Sequence, residues 1–298
     1  TRRIWMPLAR FLLGGSGALA ERLNKWQATP MLKQRVFTAS LLALFTLWVV
    51  LKLPVAGFGT VLLAVTLLCA WEWADLAGLP MRYRGWYCGC LLLVLLGLWP
   101  LAGDAAVVVG VLLPIFVAWC GVLIWLAYYA QPQPGQTRSV TVAVAGVAAL
   151  AAAWLALLGL HHAFGPGLVL FLLMLIWVAD IGAYFAGRRW GRRKLAPVIS
   201  PGKTWEGVLG AVAAALVFSV AGAVVLDVGA RWPGWVALGL VTVGFSIGGD
   251  LFESLLKRQR GLKDSGSLLP GHGGVLDRLD SLIAAAPVFF LGWYGLAR

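Results

Sequence analysis

The chain has 298 residues, 61% of them hydrophobic and only 12% charged, and its mean hydropathy is +0.87. Soluble globular chains carry roughly 25% charged residues, so a soluble domain is excluded; the apolar runs are continuous rather than alternating, which argues against an outer-membrane barrel. The net charge of +12 would suggest nucleic acid in a soluble protein, but here it is assigned to cytoplasmic loops and anionic membrane lipids, with no nucleic-acid partner.

Residues 1–30 carry Arg2, Arg3, Arg10, Arg22 and Lys25 beside Trp5 and Trp26. They show no secretory cleavage pattern, and their apolar part, Phe11 to Ala20, is short and broken by glycine. Such a segment is either an interfacial element or a poorly ordered extension. A single integral-membrane domain is placed at 31–298, because no long polar linker divides it. Nine apolar spans follow, at about 36–53, 55–74, 86–102, 105–129, 139–160, 165–187, 206–227, 233–255 and 281–297. Most reach the ~20 residues that cross a bilayer as a helix. The predicted fold class is all-α: a polytopic helical membrane protein of about nine transmembrane helices.

Lysine and arginine set the orientation, because basic loops stay on the cytoplasmic side. With the N-terminus cytoplasmic, 21 of the 24 fall on that face, and only Lys52, Arg231 and Arg298 on the other. The loops at 188–203 and 257–278 are thereby predicted to face the cytoplasm.

Polar residues inside or beside the spans are few. Glu72 and Asp75, in Trp71-Glu-Trp-Ala-Asp75, are expected at the interface, with Trp71 and Trp73 as headgroup-level anchors; the alternative is a supporting role near a site. Cys69, Cys88, Cys90 and Cys120 lack paired metal-ligand spacing and read as small buried apolar residues. His161 and His162 read as interface residues on the outer face. Asp180 follows Leu-Ile-Trp-Val-Ala within a span, a depth at which a carboxylate is functional by default, either supporting a metal site or pairing with a cation.

Arg188, Arg189, Arg192 and Arg193 read as topology signals, with Lys194 following them, ahead of Ser200-Pro-Gly-Lys203-Thr204-Trp-Glu206. This stretch lacks the spacing of a P-loop. Its hydroxyls and lysine, entering a helix near Thr204, still offer backbone donors and positive charge to phosphate. Lys203 and Ser200 are the expected contacts.

The densest chemistry lies between Gly249 and Ser281, where five carboxylates stand among five cations. Asp250, Glu253, Ser254 and Lys257 share one helical face by their spacing. Asp277 and Asp280 are also three apart. Between the pairs, Pro270-Gly-His272-Gly273-Gly274 is a backbone-permissive turn that can fold the second pair onto the first. Four carboxylates beside lysines and arginines suit a hard cation shared with phosphate oxygens. On this reading Asp250 and Asp277 are the principal ligands of Mg2+, with Glu253 and Asp280 on the metal or just behind it. Lys257, Arg258, Lys263 and Arg278 hold phosphates, and Lys203 and Ser200 approach from the other loop. His272 has either a turn role or a phosphate hydrogen bond.

The pattern Ser254-x-x-Lys257-Arg258, four residues, Lys263-Asp264-x-Gly266, then Leu269-Pro270-x-His272-Gly273-Gly274-x-x-Asp277-Arg278-x-Asp280 resembles the signature of the phosphatidate cytidylyltransferases, or CDP-diacylglycerol synthases. A match of this length is far more specific than a lone glycine motif. It extends upstream through Asp180-Ile-Gly-Ala-Tyr-Phe-Ala-Gly187 and Lys194-Leu-Ala-Pro-Val-Ile-Ser200-Pro-Gly-Lys203-Thr204-Trp-Glu206, and covers the chain from about Met31 to the end.

The resemblance implies the reaction CTP + phosphatidate → CDP-diacylglycerol + pyrophosphate, with Lys194, Ser200, Lys203, Thr204, Ser254, His272, Gly273 and Gly274 on the substrates and Asp264 in the catalytic set. It also implies Mg2+, with room for a second, monovalent cation such as K+, a homodimer, and a bacterial-type inner membrane with the site facing the cytoplasm. Two other classes compete. Asp180 and Asp250 would suit an intramembrane aspartyl protease, but proteolysis has no need of the lysine-rich Ser254–Asp280 segment. A secondary transporter would call for an internal repeat and matched broken helices, which are absent. A CDP-alcohol phosphotransferase would need an Asp-x-x-Asp-Gly-x-x-Ala-Arg core, also absent.

Overall fold

The computed structural model describes residues 38, 40–128, 140–266, 268 and 273–298. Two compact units are distinguished, Thr1–Thr46 and Leu47–Arg298, and the second holds the core and the site. The extension at 1–30 and His272 lie outside the described residues.

Where the chain is continuously apolar it is helical, as it must be in lipid, because every backbone N–H and C=O then finds its partner within the segment. The described helices are α1 (Ser40–Lys52), α2 (Val55–Leu76), α3 (Met81–Leu98), α4 (Ala105–Tyr128), α5 (Val140–Phe164), α6 (Pro166–Trp190), α7 (Trp205–Val225), α8 (Trp232–Gln259) and α9 (Asp280–Ala297). All but α1 are long and apolar enough to cross a membrane. The protein is therefore a polytopic helical membrane protein. α3 starts five residues ahead of the expected 86 and is extended by a 3-10 turn, Trp99–Gly103. α8 continues past 255 to Gln259, so Asp250 through Lys257 ride on one unbroken helix.

A two-stranded antiparallel hairpin, β1 (Lys194–Ala196) and β2 (Ser200–Thr204), interrupts the helices between α6 and α7. Helical periodicity gave no hint of it, since its strands are only three and five residues long. Thr204 ends β2 and caps α7: its hydroxyl accepts from Gly207 N–H at 3.1 Å. Glu206 ties the hairpin's entry to the same helix end, accepting from Arg192 N–H at 3.0 Å and Arg193 N–H at 3.2 Å.

α5, α8 and α9 are the most deeply packed helices, whereas α3, α4 and α7 present most of their surface outward. Small residues permit the closest crossings. In α6, a Cβ at Gly182 would come within 2.6 Å of both Gly210 O and Ala214 Cβ of α7. In α8, a Cβ at Gly249 would stand 2.7 Å from Asp280 O. That second contact brings the start of α9 against the carboxylate-bearing turn of α8.

Several aromatic and histidine expectations are corrected by the packing. Trp73 is 1% exposed and is no headgroup anchor: its indole donates to Val142 O at 2.9 Å and ties α2 to α5. His161 is buried, stacked on Phe58 with Nε2 3.2 Å from Val50 O, and only His162 is exposed. Of the cysteines, Cys69 is buried, Cys88 and Cys120 are half-buried, and Cys90 is exposed. A bulky side chain at the α6–α7 crossing has nowhere to go. Gly182→Leu is expected to lower stability by ~1–3 kcal/mol or more, read as a fall in the melting temperature of the detergent-purified protein.

Candidate active site

Three stretches that lie far apart in sequence meet at one end of the bundle: the C-terminus of α2, the β-hairpin, and the segment from late α8 to early α9. Helical spacing does the first part of the work. Ser254 Oγ donates to Asp250 Oδ1 at 3.3 Å, and Lys257 Nζ donates to Glu253 Oε2 at 2.7 Å, each one turn further along α8. The second part is tertiary. Lys257 Nζ also reaches Asp277 Oδ1 at 2.7 Å, and Lys203 Nζ, from β2, reaches Asp250 Oδ2 at 2.7 Å. Arg258 Nε donates to Ile199 O at 3.2 Å and fastens the hairpin to α8. The expected approach of Lys203 from the other loop is therefore present in the geometry.

Asp277 sits in a short 3-10 turn, Leu276–Arg278, ahead of α9. Its carboxylate accepts from Ser265 N–H at 3.0 Å and Gly274 N–H at 2.8 Å, besides Lys257. Burial alone would raise this carboxyl, but the Lys257 ammonium and the two backbone donors outweigh it and hold it below the usual carboxylate range. Gly273 adopts φ +83°, and a Cβ there would stand 2.7 Å from Asp277 Oδ2. The turn therefore needs glycine for conformation and for space.

Asp280 opens α9, and its carboxylate lies within electrostatic reach of Asp250 and Glu253. Asp180 interacts with both Asp250 and Lys203. Lys194, Lys263, Asp264 and Arg278 are exposed around this cluster, and Ser200 is half-buried at the start of β2. Thr204 is buried, with its hydroxyl oxygen already accepting as the cap of α7.

Among the described residues, no three His, Cys, Asp or Glu groups are gathered into a metal-holding cluster. Asp250 is instead paired with Lys203, and Glu253 and Asp277 with Lys257. The donor set still fits a hard cation that completes its coordination with phosphate oxygens: all the groups are carboxylate oxygens, and Glu253 Oε1 is buried without a hydrogen-bond partner. A buried oxygen of that kind is costly unless something binds it.

Glu72 belongs to this site and not to the interface. It is 2% exposed, and its carboxylate accepts from Ser265 Oγ at 2.9 Å, Leu276 N–H at 2.8 Å and Val275 N–H at 3.1 Å. Asp75, one turn on, pairs with Arg84 at 2.7 Å and with Arg260 at 3.6 Å. Sequence reasoning gave Glu72 only a secondary claim on the site. The available signal was the one that singled out Asp180, a carboxylate within an apolar span.

Removing Lys257 would strand Glu253 and Asp277 as unpaired, poorly solvated charges. Lys257→Met is expected to destabilise the protein by ~3–5 kcal/mol. Adding Glu253→Gln should recover part of that loss in thermal melts.

The cytidylyltransferase family model matches residues 33–294. The phosphatidate cytidylyltransferase of Pseudomonas aeruginosa is 42% identical over 265 residues, covering 87% of this chain and 96% of its own. That of Haemophilus influenzae is 38% identical over 281 residues, covering 87% and 97%, and that of Brucella suis is 39% identical over 265 residues, covering 87% and 92%. With similarity running through nearly the whole of each relative, and through the α8–α9 segment that carries the carboxylates, the chain belongs to the cytidylyltransferase family.

Proposed function

We propose that this protein transfers the cytidylyl group of CTP to phosphatidate, giving CDP-diacylglycerol and pyrophosphate for phospholipid synthesis. The observation that carries the reading is the pairing of Lys203 with Asp250 and of Lys257 with Glu253 and Asp277, where a transmembrane helix ends. Both reactants are polyanions, and one of them is anchored in lipid. A site that binds them must concentrate positive charge at the membrane surface and still hold carboxylates for a cation.

In the reaction a phosphatidate oxygen bonds to the α-phosphorus of CTP, and the bond to the bridging oxygen breaks, releasing pyrophosphate. The lipid phosphate is already substantially ionised near neutral pH, so no general base is required. Lys203 and Lys257 are the nearest cations to the carboxylate cluster and neutralise the phosphates that converge there. Arg258, Lys263 and Arg278 extend that field toward the leaving pyrophosphate. Asp250, Asp277, Glu253 and Asp280 supply the oxygens for Mg2+, whose chemistry is charge stabilisation on the phosphates; a monovalent ion such as K+ could share the cluster. Lys194, Ser200, Thr204, Ser254, Asp264, His272, Gly273 and Gly274 are assigned to the substrates by their motif positions.

The site faces the cytoplasm of a bacterial-type inner membrane, and the protein acts as a homodimer. The orientation is supported by the described residues around the eight spans: Arg82, Arg84, the six lysines and arginines of 188–203 and the five of 257–278 share one side, against Lys52, Arg231 and Arg298 on the other. It predicts that, in a background without native cysteines, Lys52→Cys is labelled by an impermeant thiol reagent in intact cells, and Lys263→Cys only after permeabilisation.

The reaction itself is tested with detergent-purified protein, phosphatidate and radiolabelled CTP. Label should enter the lipid phase with Mg2+, stop with a chelator, and be abolished in folded Asp277→Ala. A folded wild-type protein that transfers no label across several lipids and detergents would overturn the proposal.

A further inference from the structure

We propose that Glu72 is a positioning residue for the transfer reaction, acting through the backbone that holds Asp277. The inference rests on the reading of Asp277 as part of the reacting site. Glu72 comes from α2, about two hundred positions before the groups it binds, and none of the phosphate or metal assignments includes it.

Its carboxylate makes three hydrogen bonds, and all three go to the segments flanking the glycine turn. Ser265 Oγ and Leu276 N–H share Oε2, and Val275 N–H takes Oε1. Those segments are the ones that hold Asp277: Ser265 N–H and Gly274 N–H both donate to its carboxylate. One side chain therefore fixes both flanks of the Asp277 cradle, and Asp277 in turn receives Lys257. The fit leaves no slack. A Cβ at Gly266 would fall on Glu72 Oε1, and one at Gly274 on Glu72 Oε2 and Ser265 Oγ.

Glu72 is otherwise an expensive residue to keep. It is 2% exposed, and among the described residues no lysine, arginine or histidine forms a salt bridge with it. A buried carboxylate held by neutral donors alone needs every one of them. A neutral residue would tie α2 to the turn at lower cost. A carboxylate is needed because the turn presents three donors at one point, and a carboxylate offers only acceptors.

The test uses Glu72→Gln, Glu72→Asp and Asp277→Ala in the purified full chain. Glutamine keeps the length, but in either amide orientation its NH2 faces Val275 N–H or Leu276 N–H. Aspartate keeps both acceptors one methylene short. Thermal melts and gel filtration first define the folded fraction. In Glu72→Gln, kcat per folded molecule is expected to fall about 10- to 100-fold, half-saturating Mg2+ to rise, and KM for phosphatidate to stay within about twofold; Glu72→Asp should recover part of the loss.

Mn2+ affinity, read by electron paramagnetic resonance without turnover, should weaken in Glu72→Gln as in Asp277→Ala. The double variant should be no weaker than Asp277→Ala alone. A Glu72→Gln protein that loses only melting temperature, with wild-type kcat per folded molecule, overturns the proposal and leaves Glu72 a structural tie. If Asp277→Ala binds Mn2+ as the wild type does, the metal assignment fails, and the kcat of Glu72→Gln still decides the role of Glu72. A folded wild type without transfer overturns both.

Discussion

The whole arrangement depends on the ammonium of Lys257. It bridges Glu253, one turn back on α8, to Asp277, on the turn before α9, at 2.7 Å to each. Both carboxylates are nearly shielded from solvent, with side chains 2% and 9% exposed. Two negative charges this poorly hydrated would force the helices apart without a cation between them. The first contact of the bridge is free from helical geometry. The second closes a loop of twenty residues, and it holds only because Gly249 lets the start of α9 lie against α8.

Around that bridge the carboxylates divide by the kind of partner they have. Glu72 is satisfied by two backbone N–H groups and a hydroxyl, and Asp277 by two backbone N–H groups as well as Lys257. These two therefore have fixed positions. Asp250 meets Lys203 on a different element, with both side chains about a quarter to a third exposed. Such a pair contributes little to stability, so the exchange of its partners for phosphate and cation in the proposed reaction carries little penalty to the fold. Glu253 is intermediate, with one oxygen on Lys257 and the other buried and without a partner. The gradient runs from rigid at Glu72 to exchangeable at Asp250, which is the order a site needs if it is to be preorganised on one side and open to ligands on the other.

Most of the helical frame was legible because lipid leaves the backbone little choice. A run of about twenty apolar residues can only be a helix, and residues at offsets of three and four along it must share a face. Asp250, Glu253, Ser254 and Lys257 could be grouped on that basis, and the glycine turn announced that Asp277 and Asp280 return toward them. The hairpin was not legible, because strands of three and five residues leave no period to detect. Glu72, Trp73 and His161 were misassigned for a different reason. A polar or amphipathic residue at the end of an apolar span suits the headgroup region equally well, and what decides the matter is a partner far away in sequence. For Trp73 that partner is Val142, for His161 Val50, and for Glu72 the three groups on the α8–α9 connection.

The same long-range ties explain why the site can stand at a membrane surface at all. A turn rich in glycine and flanked by charges would ordinarily be the least ordered part of a chain. Here the described residues on either side of that turn are pinned from three directions: Glu72 on α2 holds Ser265, Val275 and Leu276, Lys257 on α8 holds Asp277, and Arg258 joins α8 to the hairpin that carries Lys203. Each tie starts from a helix that the bilayer already fixes. The described polar segments at this end of the bundle thereby acquire the rigidity of the spans, and the carboxylates and lysines proposed to bring two polyanions together are held in place before either one arrives.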